Sequence, residues 1–228
     1  MLMTDMTQAP STRSGKGPAP SAYVLLASGS YVDLLNPHPN SWTDHDLSER
    51  LSRTPRWAGS SKWPLPLSVA QHALLTLSIA LWNNPALPKK QQLFILLHDA
   101  EEGFLGFDCI TPLKTVLGPG LKKVAHDLMS AVLTRYHAVE PTGADYDAYK
   151  LADRTAASSE AFHIVGWSER QIRDLLGLTT PILSVDPLHS QYQSEERREP
   201  WEPWEPRYAA TRYLEALHSL TKQVEPSS

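Results

Sequence analysis

The residues that could do chemistry are concentrated in one stretch, LLHDAEEGFLGFD, at positions 96–108. An apolar run leads directly into His98, Asp99, Glu101 and Glu102, and helical spacing places His98 and Glu102 on one face. Burying charged groups is costly unless they are paired or bind a metal. The stretch is therefore either a solvated helix end or part of a metal site.

A metal site needs further ligands from other helices. His72 lies in the apolar stretch LSVAQHALLTLSIALW, and Asp153 lies among small residues in KLADRTAASSEA. Taken alone, His72 could be an ordinary core histidine and Asp153 an exposed helix residue paired with a nearby cation. Together with His98 and Asp99 they form a set of two imidazoles and two carboxylates. Such a set suits a divalent ion such as Co, Mn, Zn or Mg and leaves positions open for water and substrate.

The elements that must position these residues are helices. Hydrophobic periodicity and capping residues predict helices near residues 43–54, 67–83, 88–104, 119–137, 144–166, 168–178 and 206–222. Two β-prone runs around Ser-Gly-Ser in 23–37 predict a short hairpin. Nineteen prolines punctuate the helices. We expect an all-α bundle in a single domain over 21–222, with a disordered tail at 1–20 and a flexible end at 223–228.

Composition narrows the classes of protein. The chain has 228 residues, of which 41% are hydrophobic and 20% charged, and its formal net charge is −4. This balance argues against binding to a nucleic-acid polymer, which needs a basic surface. A single cysteine, Cys109, indicates a reducing compartment, and no stretch is typical of a signal peptide or a membrane span. We therefore predict a cytoplasmic protein with no membrane partner.

The order H…HD…D on successive helices resembles the HD-domain superfamily of metal-dependent phosphohydrolases. The likeness covers roughly residues 23–165 and is closest to the small 5′-deoxynucleotidases. SVAQHALL, LLHDAEEGFLGFD…TPLK, LADR and LSRTPRWAG are similar to family motifs in this order. The opening GSYVDLLNPHPNSWTDHDLSERLSRTPRW also resembles phage dATP triphosphohydrolases.

The resemblance implies an HD-domain helical bundle that hydrolyses a phosphoester of a 5′-deoxynucleotide and forms a homo-oligomer. It implies that His72, His98, Asp99 and Asp153 bind the metal and that Glu102 and Asp108 are catalytic. It also implies that Arg56 and Lys114 contact phosphate and that Trp57 lies against the nucleoside. Such an ion would polarise phosphoryl oxygens and lower the pKa of water.

One position departs from the family pattern. The family usually has Asp directly after Gly, whereas here Phe107 intervenes between Gly106 and Asp108. Asp108 therefore has to extend further, or its role falls to Glu101 or is lost.

Several alternatives stay open. The substrate is a dNTP, with dATP favoured by the phage-like opening, or a dNMP. A nucleotide-sensing module without catalysis is a further hypothesis. A cyclic-dinucleotide phosphodiesterase or an alarmone hydrolase fits less well. In EPWEPWEP, Trp201 and Trp204 could pack on the domain, cover the pocket or line a contact between subunits, and the prolines favour an extended polyproline-like segment.

Overall fold

The described part of the chain is predominantly helical. The computed structural model describes residues 21–109, 111–189 and 199–224. Strands β1 (Tyr23–Leu25) and β2 (Tyr31–Asp33) pair antiparallel near the N-terminal end of this part. These findings confirm the predicted all-α fold with a short hairpin. The predicted tail at 1–20 and the last residues of the predicted flexible end, 225–228, lie outside the described residues.

Helices that pack against one another form the core. They are α1 (Asp44–Arg53), α2 (Val69–Asn83), α3 (Lys89–Leu97), α4 (Ala100–Leu105), α5 (Thr111–Arg135), α6 (Ala144–Glu160), α7 (Glu169–Leu176) and α8 (Pro206–Val224). Helices α1 and α3 pack on α8, α2 packs on α6, and α4 packs on α1. Leu47, Leu93 and Tyr213 are fully buried between these elements. Among the described helices, none combines the length and the apolar character that a membrane span needs.

Two N-caps fix where helices begin. The side chain of Thr43 accepts a hydrogen bond from the backbone of Asp46 at the start of α1. Ser68 does the same for Gln71 at the start of α2. Side-chain caps of this kind satisfy amide groups that a helix cannot pair internally. The cap on α2 places His72 in the first turn of that helix.

The single helix predicted over 88–104 is wrong. Helix α3 ends at Leu97, Asp99 leaves the helical conformation with φ −117° and ψ 25°, and α4 begins at Ala100. Asp disfavours helix interiors because its side chain bonds to nearby groups instead. Here the Asp99 carboxylate lies near His98 and Arg56 from this non-helical position. His98 and Glu102 therefore do not share the face of one continuous helix.

Two other predicted helices also differ from the structure. Helix α5 begins before residue 119 and bends at Gly118, where φ is 76° and a proline follows. Glycine adopts such a φ without steric cost, and proline lacks the N–H that a continuous helix needs. The α-helical part of the segment predicted over 144–166 ends at Glu160, and residues 161–165 continue as a π-helix.

The segment at 199–206 packs on the domain. Trp201 and Trp204 are both buried, which confirms packing as their role. The polyproline-like conformation is wrong at Trp201, whose φ is 67°. This backbone lets the Trp201 amide donate to Asp186 Oδ2 at 2.8 Å while its indole stacks on His163 at 4.4 Å. Tertiary contacts therefore override the extended preference of the neighbouring prolines.

Candidate metal centre

The predicted metal ligands come together between α2, the α3–α4 junction and α6. His72 Nε2 lies 3.2 Å from His98 Nε2. Asp99 Oδ2 lies 3.5 Å from His72 Nε2 and 3.2 Å from His98 Nε2. Asp153 Oδ1 lies 3.4 and 3.8 Å from the same two nitrogens. Four residues spread over 82 positions of sequence, 72 to 153, thus converge at one point.

The hydrogen bonds of the two imidazoles turn their Nε2 lone pairs toward each other. His72 Nδ1 is 2.5 Å from Glu160 Oε1, and His98 Nδ1 is 2.7 Å from the carbonyl oxygen of Ile95. Both partners are acceptors, so each Nδ1 carries the hydrogen and each neutral ring presents an Nε2 lone pair. Lone pairs 3.2 Å apart repel unless a cation, either a proton or a metal ion, lies between them. A longer contact, 3.5 Å, joins His72 Nε2 to the Thr76 hydroxyl.

The spacing of the donor atoms also suits one ion. Ligand distances of about 2.0–2.2 Å place neighbouring donors about 3.0–3.6 Å apart around a divalent ion. The five separations given above, each of which involves an imidazole nitrogen, run from 3.2 to 3.8 Å. His72, His98 and Asp153 each offer an atom within 4.8 Å of the others, so this His/Asp cluster could hold a metal ion.

Neighbouring cations hold the two carboxylates in their charged form. Arg56 Nη1 is 3.4 Å from Asp99 Oδ2, and Lys150 Nζ is 3.1 Å from Asp153 Oδ2. Burial raises the pKa of Asp99, but the electrostatic interaction and hydrogen bond with His98, together with His72 and Arg56, outweigh it and hold that pKa well below its usual range. Burial likewise raises the pKa of Asp153, but hydrogen bonding to His72 and the nearby imidazoles lower it further. Ionised carboxylates are the form that binds a metal.

Burial and Arg56 lower the pKa of His72, but Glu160 and Asp153 outweigh them and raise it to about 10. A metal ion at this centre would therefore have to displace a proton from His72 Nε2. Either cation would relieve the repulsion between the two Nε2 lone pairs.

Glu160 is a buried member of this centre that sequence analysis missed. It is the last residue of α6 and is fully buried. Its Oε1 pairs with His72, while its Oε2 accepts from Arg56 Nε at 3.1 Å and from Trp57 Nε1 at 3.0 Å. Burial raises the pKa of Glu160, but His72 and Arg56 lower it to about 2. Its position seven residues after Asp153, two turns along the same face, is the signal that could have found it.

The residues His72, His98, Asp99 and Asp153 are called the metal cluster below. Arg56 and Trp57 lie beside this cluster in the loop before α2. The Arg56 amide donates to the Leu67 carbonyl at 2.8 Å, and the Val69 amide donates to Thr54 at 3.0 Å. These bonds hold the loop against the start of α2. Burial lowers the pKa of Arg56, but the carboxylates around it raise it above its usual value, so its charge is permanent. Trp57 is half-buried, with its indole N–H turned to Glu160.

The predicted catalytic carboxylates lie around the same centre. Glu102 is buried in α4, and Asp99, Glu101 and Glu102 each offer an oxygen within 4.8 Å of the others. Asp108 Oδ2 is 3.7 Å from Arg56 Nη1, so the displaced aspartate does extend to the predicted phosphate-binding residue. Lys114 belongs to α5, but its side chain lies outside the part of the chain that the structure describes.

Comparison with known proteins identifies a relative. An uncharacterized protein of Rhodobacter capsulatus is 35% identical over 164 residues, which make up 71% of this chain and 83% of the relative. The chain belongs to the family of this Rhodobacter protein. No protein-family model matches the chain.

Proposed function

We propose that the chain is a metal-dependent HD-domain phosphohydrolase that acts on 5′-deoxynucleotides, with a dNTP, dATP foremost, as its substrate. The observation that carries the proposal is the convergence of two Nε2 lone pairs and two ionised carboxylates beside a buried, permanently charged arginine. The motif resemblance supplies the reaction class, and the geometry supports it. Substrate choice within that class rests on resemblance to the phage enzymes.

The residues around the cluster have separate tasks in this proposal. Arg56 binds phosphate oxygens, since a guanidinium has five N–H donors in a planar fork that matches them. The exposed side of the Trp57 ring lies against the base, a contact that needs only a flat apolar surface. Glu102 orients the attacking water and accepts its proton. Asp108 acts through Arg56, which it contacts, and orients that guanidinium.

A divalent ion bound by His72, His98, Asp99 and Asp153 would supply Lewis-acid charge on the phosphoryl group and a lower pKa for water. Phosphoryl transfer otherwise depends on positioning and charge neutralisation, which Arg56 contributes. Hydrolysis adds water across the bond between phosphorus and the 5′ oxygen, so the oxygen leaves with the deoxynucleoside and water's hydroxyl stays on phosphorus.

A cleft lies along the part of α6 that precedes Asp153. Its volume is about 440 Å³, and it is lined by Tyr146, Asp147, Lys150, Leu151, Arg154 and Thr180. Lys150 is paired with Asp153, so one wall residue of the cleft contacts the His/Asp cluster. Lys150 and Arg154 bring positive charge to the cleft and Asp147 brings negative charge. The preference for a dNTP over the alternative dNMP substrate therefore rests on the resemblance to the phage enzymes.

A panel of the four dNTPs and four dNMPs with Co²⁺, Mn²⁺ or Mg²⁺, resolved by anion-exchange chromatography, tests the proposal. We expect deoxynucleoside and triphosphate from a dNTP, fastest with dATP. Glu102→Ala should lower turnover by about 10²–10⁴-fold while metal still binds, because only proton transfer is lost. Glu215→Ala, at an exposed ion pair on α8 that does not line the cleft, is the matched control.

Three outcomes change the proposal. Turnover confined to dNMPs would make the protein a 5′-deoxynucleotidase. Tight nucleotide binding with no product would make it a sensing module. Absence of both product and binding would refute the proposal. The homo-oligomer that the resemblance implies is a separate prediction, which light scattering of the purified protein measures.

A further inference from the structure

One carboxylate joins the metal cluster to the predicted substrate-binding loop. Glu160 Oε1 pairs with His72, and Glu160 Oε2 pairs with Arg56 and Trp57. We propose that Glu160 is a positioning residue that orients His72 for metal binding and, through the same carboxylate, holds Arg56 and Trp57 in place. The part that concerns Arg56 and Trp57 as substrate contacts rests on the proposed function, whereas the part that concerns His72 does not.

On the metal side, Glu160 fixes which nitrogen of His72 can bind. The contact at 2.5 Å assigns the hydrogen to Nδ1 and therefore turns the lone pair of Nε2 toward His98. A carboxylate in this position also makes the imidazole a stronger ligand. His98 depends on a backbone carbonyl for the same purpose, so no substitution can remove that bond. Glu160 orients His72 through its side chain, so a substitution can remove this contact.

On the loop side, Glu160 holds a backbone conformation that is otherwise unfavourable. Trp57 and Ala58 have φ values of 56° and 51°, in the left-handed region that side chains disfavour. Such residues persist where surrounding contacts impose them, and they cluster at functional sites. The indole N–H bond to Glu160 at 3.0 Å is a contact that imposes this conformation.

The loop is docked at two further points just beyond Glu160. The Lys62 amide donates to the Ile164 carbonyl at 2.8 Å, and Trp63 Nε1 donates to the His163 carbonyl at 3.4 Å. Both acceptors belong to the π-helical turn at 161–165, a geometry that occurs frequently at functional sites. The loop therefore rests on the end of α6, and Glu160 is the point where this support meets the metal cluster.

A purely structural role for Glu160 would be to neutralise the buried Arg56. That role needs a negative charge near Arg56, but it does not need one oxygen of Glu160 to contact His72 while the other contacts the loop. Because the two oxygens are used in this way, metal affinity should depend on the loop, even though no loop residue is a metal ligand. Trp57→Phe tests this dependence, because it removes the indole N–H and keeps an aromatic ring.

The experiment measures Co²⁺ affinity by calorimetry, together with thermal unfolding, for the full chain. We expect Glu160→Gln to weaken Co²⁺ binding by about 10–100-fold, the usual cost of losing a partner of a metal-bound histidine. We expect Trp57→Phe to weaken it severalfold and Glu160→Asp to retain more affinity than Glu160→Gln. Glu215→Gln, in an exposed ion pair on α8, is the control and should bind as wild type does.

Wild-type Co²⁺ affinity in folded Glu160→Gln would overturn the proposal. If Glu160→Gln does not fold, Trp57→Phe decides, and an unchanged affinity in that variant overturns the link to the loop. The nucleotide panel separates the two proposals. Loss of Co²⁺ affinity in a protein that hydrolyses no nucleotide would refute the proposed function and leave the role of Glu160 toward His72 intact.

Discussion

Two polar clusters of this protein contain similar residues but have different geometry. In the first, Asp44 at the start of α1 accepts from Arg135 Nη2 at 3.1 Å and from Tyr136 Oη at 2.9 Å, and His218 Nε2 is 3.2 Å from its other oxygen. In the second, the metal cluster, two imidazoles and two carboxylates face one another. Both contain aspartate, histidine and, close by, arginine.

The difference lies in the balance of donors and acceptors. Around Asp44, donors surround a single carboxylate, so each hydrogen bond is made within the protein. In the metal cluster, acceptor atoms converge at 3.2–3.8 Å, an arrangement that needs a cation. Burial differs too, because the His72 side chain is fully buried whereas that of His218 is 49% exposed. Convergent acceptors, rather than residue types, distinguish a ligand site from a structural ion pair.

The largest expected effect is on metal affinity, when an aspartate is replaced by asparagine in each cluster in turn. Asp153→Asn should weaken Co²⁺ or Mn²⁺ binding by more than about 100-fold, because loss of a ligand should cost at least as much as loss of an outer partner. Asp44→Asn should bind metal as wild type does. Calorimetric titration of both variants checks this, with circular dichroism as the control for folding. Equal losses in both variants would remove the distinction between the clusters.

The same contrast explains what sequence could predict. His72 and Asp153 were predictable because each is a ligand type in an apolar or small-residue stretch, where burial needs a reason. Thr43 and Ser68 were predictable as caps because capping depends on local spacing. The fold class followed from periodicity over whole helices. Each of these signals lies within a stretch of sequence no longer than about one helix.

Glu160 and the break at Asp99 depend on partners distant in sequence. Glu160 bonds to Arg56 across 104 positions, and no local pattern indicates that this loop will dock there. The break at Asp99 depends on Arg56 as well, since periodicity alone favours one continuous helix. The contacts that tertiary packing gives to Glu160 and to the break at Asp99 were therefore the ones that sequence analysis missed.

The next effect concerns the proton on His72. Glu160 and Asp153 raise the pKa of His72 to about 10 against the effects of burial and Arg56, so His72 is protonated below that pH in the metal-free protein. A metal ion must displace this proton, and apparent affinity should therefore rise about tenfold per pH unit between pH 6 and 9 and level off above pH 10.

Calorimetry at pH 7.5 in two buffers of different ionisation enthalpy counts the released protons. We expect about one proton per metal ion. His218→Gln, which alters the Asp44 cluster alone, should leave that number unchanged. A pH-independent affinity with no proton release would contradict the assignment of His72 as a ligand.

The smallest effect belongs to the stability of the Asp44 cluster. Asp44→Asn keeps the size of the side chain but removes the charge that Arg135 and Tyr136 face, and Arg135 also donates to the Pro39 carbonyl at 3.1 Å. Because the Asp44 and Arg135 side chains are 28% and 22% exposed, solvent screens the pair, and we expect a loss of about 1 kcal/mol in the free energy of unfolding. Thermal denaturation should show a decrease of about 2–4 °C in Tm. A decrease several times larger would mean that Asp44 is needed for the fold of α1, and the metal cluster would then no longer be the more sensitive of the two.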